Sequence, residues 1–155
     1  IARGAGVNKE RIYQYFGNKD GLFSAVLLTE LSGLMDKATI TGTGPDAAAA
    51  FATRLYDSYA RRPALARLLA WEGLERGEAV AADTRRLACQ SKVDHLHAAL
   101  PECSREQAAQ LLLAILALVT SRWTLVQLTG LITPEMTARQ HRDAIIALVH
   151  QAARG

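Results

Sequence analysis

The chain has 155 residues, half of them hydrophobic, with a net charge of +3 and a pI near 9.1. That length builds one good core, which excludes a large multidomain enzyme and favours one main domain with a small appended unit. Two cysteines, Cys89 and Cys103, exclude a disulfide framework and a zinc ribbon, and they fit a reducing, cytoplasmic setting. The longest unbroken apolar run, residues 111–119, is too short to cross a bilayer, so no membrane partner is expected.

The first 23 residues read as two short helices meeting at a tight turn, followed by the start of a third. Ala2 allows close approach of a neighbouring helix, and Gly6 supplies the left-handed residue that ends one helix and opens the turn. Val7 plugs the turn and Asn8 caps the second helix. Ile12, Tyr15 and Phe16 are expected to face inward. The opposite face then carries Lys9, Glu10, Arg11, Tyr13 and Gln14. Lys and Arg donate to guanine, Gln pairs with adenine, Glu accepts from cytosine, and a tyrosine hydroxyl reaches a phosphate. Lys19, just beyond the cap residue Asn18, adds a further phosphate contact at a helix start. Singly these side chains describe an ordinary solvated face; together, behind an Ala-x3-Gly turn, they describe a helix-turn-helix that reads a major groove.

The rest of the chain is predicted helical. Leu22, Phe23, Val26, Leu27, Leu31 and Leu34 repeat at three and four, giving a helix over 19–37. Residues 39–45 form a loop. A helix opening at Pro45 or Asp46 runs through Phe51, Leu55 and Tyr59 and stops before Pro63. Short helices follow over 64–74 and 79–100, the latter with Leu87, Val93, Leu96 and Leu100 on one side. Ser104 and Gln107 form a capping box that launches a helix to residue 129, broken by Gly130, and a last helix covers 138–153. No strand alternation and no internal repeat is present.

The opening segment resembles the reading head of TetR-family (tetracycline-repressor-like) regulators. Their pattern is met at Ile1, Ala2, Ala5, Gly6, Val7, Ile12, Tyr13, Tyr15, Phe16, Lys19 and Leu22, with Asn8 where Ser or Thr is usual. The resemblance implies that Lys9, Glu10, Arg11, Tyr13, Gln14, Tyr15 and Lys19 touch DNA. It also implies that the family's first helix, and the start of the next, precede Ile1. Residues 1–23 would then be the C-terminal part of a DNA-binding domain, too little on its own to grip an operator. Residues 24–155 would be a helical ligand-binding and dimerisation domain.

The run 111–119 is apolar on every face, which requires cover on several sides. A second copy is the simplest cover, with Leu112, Leu116, Val119, Ile145, Leu148 and Val149 at a four-helix interface. The middle helices offer Tyr56, Tyr59, Trp71, Glu72, Cys89, His95, Arg122, Trp123 and Gln127 to a small-molecule effector. Tyr59, Trp71, Glu72, His95, Arg122, Trp123 and Gln127 are the preferred set. Arg122 stands out because a cation so close to a long apolar run needs an anionic partner.

No catalytic group, cofactor or metal is expected. His95 and His97, two apart on a helix, diverge too far to share an ion. Glu72, Glu75 and Glu78 lack any nucleophile or phosphate loop nearby. The sequence therefore describes an all-α, homodimeric, ligand-responsive repressor of a palindromic DNA operator. The alternative is a helical small-molecule-binding or scaffold protein without a working reading head.

Overall fold

Asn18 sets where the first long helix begins: its side-chain oxygen accepts from the Gly21 N–H at 2.8 Å, satisfying one of the free donors of the opening turn. Gly17 just before it has φ +72°. A side chain on Gly21 would meet the Phe16 carbonyl oxygen at 2.0 Å, so the turn requires glycine there. The computed structural model describes residues 15–35 and 38–154; the candidate residues Lys9, Glu10, Arg11, Tyr13 and Gln14 lie outside that set. Among the described residues there are seven helices and no strand.

In chain order the helices are α1 (Lys19–Met35), α2 (Gly44–Arg61), α3 (Pro63–Glu75), α4 (Ala82–Ala99), α5 (Arg105–Thr124), α6 (Val126–Ile132) and α7 (Ala138–Ala152). Proline stands in the first turn of both α2 and α3, where its missing N–H costs nothing. Pro63 also explains why α2 ends at Arg61. Both halves of the Ser104–Gln107 capping box are formed, at 3.2 and 2.7 Å. A second box, Thr137 with Gln140, starts α7. Its Thr-x-x-Gln spacing is equally visible in the sequence, as a start signal for the last helix.

The all-α expectation holds, but the centre of the body is α2 rather than α5. Ala47, Ala48, Ala49, Phe51, Ala52, Leu55, Tyr56, Ser58 and Tyr59 of α2 are buried, almost all the way round. Its alanines let α7 lie close alongside, and α3, α4 and α5 complete the cover. Arg142 of α7 forks onto Asp57 (2.8 and 3.2 Å), and the Tyr56 hydroxyl donates to the Ala138 carbonyl at 3.1 Å. Ile145 and Val149 of α7, Leu27 and Leu31 of α1, and Leu65 of α3 join the same core.

Three expectations change. α5 does not run to residue 129: it ends at Thr124, and α6 leaves at 86°. Thr120, Ser121 and Thr124 donate their hydroxyls back to the carbonyls of Leu116, Leu118 and Thr120. Such bonds compete with the helix ladder and bend it. Gly130 sits inside α6 and breaks nothing. Leu87 is 73% exposed, because six residues of helix turn it well away from Val93; of the four leucine and valine positions, Val93, Leu96 and Leu100 face the core. Finally, α5 buries one stripe, Ala108, Leu112, Ile115 and Val119, and leaves Leu113, Ala114 and Ala117 exposed.

No single helix among the described residues is long and apolar enough to cross a membrane. α5 and α6 pass that test only as a bent pair.

If α2 is the core's axis, Phe51→Ala lowers stability by about 3–5 kcal/mol through transfer and cavity terms. Leu87→Ala changes it by less than about 0.5 kcal/mol. Equal effects of the two substitutions on urea unfolding would contradict this packing.

Candidate functional site

At the N-terminal end of the described residues, Tyr15 and Phe16 are helical and turn outward, Tyr15 at 85% exposure. The expectation that both face inward is therefore corrected. The helix stops one residue later at left-handed Gly17, so no following turn covers their rings. Lys19 is exposed on the first turn of α1. Tyr15 and Lys19 thus stand exposed at the same end of α1.

That end is tied to the body by the last turn of α3. Phe23 of α1 packs against Trp71 with ring centroids 4.7 Å apart and planes at 58°, an inclined aromatic contact. The Arg76 guanidinium lies 5.7 Å from the centre of the Phe23 ring and pairs with Asp20 at 3.4 Å. Between Trp71 and Arg76 in the chain sits Glu72, a carboxylate only 5% exposed. It accepts from the Val80 N–H at 2.7 Å, and both its oxygens accept from Arg85 Nη1, at 2.8 and 2.7 Å. These bonds join α3 to α4 across the bend at Ala81, whose φ is +51°.

Glu72 is consequently engaged within the protein. His95 is exposed on α4. Arg85, Arg76, Asp20 and Phe23 escape sequence reasoning: each contact crosses a helix break, where no periodic pattern links the partners.

The other aromatic candidates cluster. Trp123 of α5 lies 5.2 Å from Tyr56 and 6.3 Å from Tyr59, and His141 of α7 lies 6.2 Å from Tyr56. Arg122 has no carboxylate partner among the described residues. Its charge acts instead on Tyr56 and His141. Burial pushes the Tyr59 hydroxyl up to about 12, against a smaller opposing pull from Arg85. Burial, with Arg122 behind it, lowers the His141 imidazole, whose Nδ1 is buried without a hydrogen-bond partner.

Two openings use these residues. A wide surface cleft of about 550 Å³ brings Trp71, Trp123 and Gln127 together with Pro63, Arg67 and Val126. A narrower cavity of about 120 Å³ lies between α1, α2, α3, α4 and α5, with Tyr59, Leu69, Arg85, Cys89 and Lys92 on its lining. No cluster of metal ligands occurs among the described residues.

The interface candidates divide. Leu112, Val119, Ile145 and Val149 are buried in the chain's own core, and Leu116 is partly buried against it. Their apolar character is therefore satisfied without a second copy. Leu148, 52% exposed, is the member of that set that faces outward. Leu113 of α5, not among the sequence candidates, does the same.

Residues 48–154 match the family model described as "Tetracyclin repressor-like, C-terminal domain". The chain belongs to the TetR family. Residues 1–26 match the model described as "Bacterial regulatory proteins, tetR family". The chain is also similar to the HTH-type transcriptional repressor SCO4008 of Streptomyces coelicolor, 43% identical over 79 residues. That alignment covers 51% of this chain and 40% of the relative, so the chain spans well under two thirds of the curated relative's length. For this TetR-family chain, the resemblance drawn from its opening residues and the helical body agree.

Two outcomes are expected from the buried groups. Arg85→Ala leaves the Glu72 carboxylate buried without its cation and lowers stability by about 3 kcal/mol at neutral pH. This is the low end for a broken buried pair, because Arg85 keeps some contact with water. A loss below about 0.5 kcal/mol in urea unfolding would contradict that role. For His141 the folded-state value lies below the ordinary one, so the unfolded chain binds the extra proton. The stabilisation is present above about pH 6.5 and is lost as pH falls. The urea midpoint is expected to drop between about pH 7 and pH 5, and to drop less in His141→Phe; an unchanged slope in the variant would contradict this.

Proposed function

We propose that this chain is part of a DNA-binding transcriptional repressor that responds to a small molecule and has no catalytic activity. Residues 1–23 form the C-terminal part of the reading head, and 24–155 form the ligand-binding and dimerisation body. Lys9, Glu10, Arg11, Tyr13 and Gln14 meet base edges and nearby phosphates, while Tyr15 and Lys19 hold the backbone. The observation that carries the reading is the pair of exposed side chains, Tyr15 and Lys19, standing on the end of α1 that α3 clamps to the body.

A second copy covers the outer faces of α5 and α7 through Leu113 and Leu148, giving a two-fold dimer whose heads fall on successive major grooves of a palindromic operator. The effector binds among the middle helices, where Tyr59 lines the cavity and Trp71, Trp123 and Gln127 line the cleft. Because Trp71 also holds Phe23, a ligand that displaces α3 shifts α1 and with it the spacing of the heads. A differential affinity of about 1–3 kcal/mol between the two spacings changes operator affinity about 5- to 150-fold.

The test is a titration of the full-length protein on DNA flanking its own gene at several salt concentrations. Lys19→Ala is expected to weaken binding to all sequences alike and to reduce the salt slope by about 1. Tyr13→Ala is expected to remove protection of the palindrome. Weak binding that ignores sequence in wild type and both variants would replace this reading with that of a helical binding protein. Leu113→Glu with Leu148→Glu should yield monomers in sedimentation; an intact dimer would place the interface elsewhere.

A further inference from the structure

The 86° break between α5 and α6 turns Val126 and Gln127 off the line of α5, and with Trp123 they form one wall of the wide surface cleft beside α3. On α3, Arg67, Ala70, Trp71 and Leu74 stand at i, i+3, i+4 and i+7, so they share one side of the helix and form the other wall. The chain has two tryptophans, and both line this cleft. Each is anchored in the body: Trp71 packs on Phe23 with ring centroids 4.7 Å apart, and Trp123 on Tyr56 at 5.2 Å. Among the described residues the two indoles make no ring contact with each other. The cleft is therefore preformed, its two aromatic faces fixed by packing elsewhere. Leu74 and Val126 add apolar side chains that are 85% and 57% exposed, and apolar exposure gathered around a cleft marks a binding surface.

The lining carries one charge, the guanidinium of Arg67. Arg67 is exposed and makes no hydrogen bond or ion pair among the described residues. The carboxylates of the same helix serve elsewhere: Glu72 holds Arg85, and Glu75 lines a separate opening with Lys19 and Arg76. The Thr124 hydroxyl donates to the Thr120 carbonyl, whereas the Gln127 amide makes no hydrogen bond among the described residues. A guanidinium presents a planar fork of donors that matches a carboxylate, and a cationic ligand would meet Arg67 with no carboxylate on the lining to offset it. The complement is a flat aromatic body bearing a carboxylate. Its size follows from the volume of about 550 Å³, well above the ~150 Å³ that takes a single benzene ring and within the range of small-molecule sites.

We infer that this cleft binds a planar aromatic carboxylate of two or three fused rings, its rings against Trp71 and Trp123 and its carboxylate on Arg67. This names the chemical class of the effector, and its regulatory consequence rests on the ligand-responsive function proposed for the chain. A ring seated on Trp71 is one contact away from Phe23, at the start of the helix that leads to the reading head. Binding itself requires neither DNA nor a second copy.

The test is titration of the full chain, without DNA, with naphthalene-2-carboxylate, naphthalene-2-methanol and naphthalene-2-methylamine, followed by calorimetry and by tryptophan emission. Because both tryptophans line the cleft, emission reports on this site. The carboxylate is expected to bind tightest and the amine least, with a change in emission that saturates along with the heat. Arg67→Gln should weaken the carboxylate about tenfold, the low end for a hydrogen bond to a charged group because Arg67 is exposed, and should leave the alcohol within about twofold. An exposed position on a helix tolerates that substitution, so the variant is expected to fold, as checked by circular dichroism. No binding of the carboxylate, an amine bound as tightly, heat without a change in emission, or an Arg67→Gln variant that binds the carboxylate unchanged or loses acid and alcohol alike would each overturn the inference. Operator titration of the same protein separates the two readings. Operator binding without carboxylate binding sinks the ligand assignment alone, and carboxylate binding without operator binding sinks the regulator reading alone.

Discussion

The last turn of α3 is the constraint on which this architecture depends. Within six residues it carries Trp71 against Phe23, Glu72 against Arg85 and the Val80 N–H, and Arg76 against both Asp20 and the Phe23 ring. Glu72 is the reason the turn cannot drift. A carboxylate this deeply buried is tolerated only with its hydrogen bonds and cation in place, so any movement of α3 relative to α4 has to carry Arg85 and Val80 along. With α4 thus fixed to α3, and α3 to the start of α1, the outward-facing Tyr15 and Lys19 are referred to the body rather than to a free linker.

The same joint ties the cavity deep in the body to its surface. α1 closes one side of the cavity with Leu31 and Leu34 and, nearer its start, offers Phe23 to α3. Arg85 both neutralises Glu72 and edges the cavity. Occupancy there therefore bears on the helix and on the ion pair at once. Close packing transmits such displacements instead of absorbing them, since α2 is buried nearly all round and leaves little room to adjust.

Much of this is legible in the residues. The Ala-x3-Gly turn with its flanking Tyr and Lys positions points to the family by itself, and Pro63, Asn18 and the Ser104–Gln107 box mark their boundaries. The hidden part is set by tertiary geometry. Glu72 and Arg85 lie 13 positions apart across a break, so no helical period connects them. The bend after Thr124 coincides with three hydroxyls bonding back along their own helix, a signal weaker in the sequence than Gly130, which is harmless. The run 111–119 suggests a helix buried on all sides, yet apolar composition cannot distinguish a core stripe from an outward face. Ile115 and Leu113 are equally apolar and end on opposite sides. Of the effector candidates, Trp71, Trp123 and Gln127 meet at one cleft and Tyr59 lies on the cavity, whereas Glu72 and His95 are elsewhere engaged or turned out.

The central claim, that the end of α3 holds α1 to the body, is tested most directly by hydrogen exchange on the full chain in wild type and Trp71→Ala. Removing the indole from Phe23 is expected to raise exchange in the first turns of α1 by about tenfold while amides of α2 and α7 keep their protection. Unchanged protection across α1, or a uniform loss over every helix, would show that the joint does not hold α1 in place.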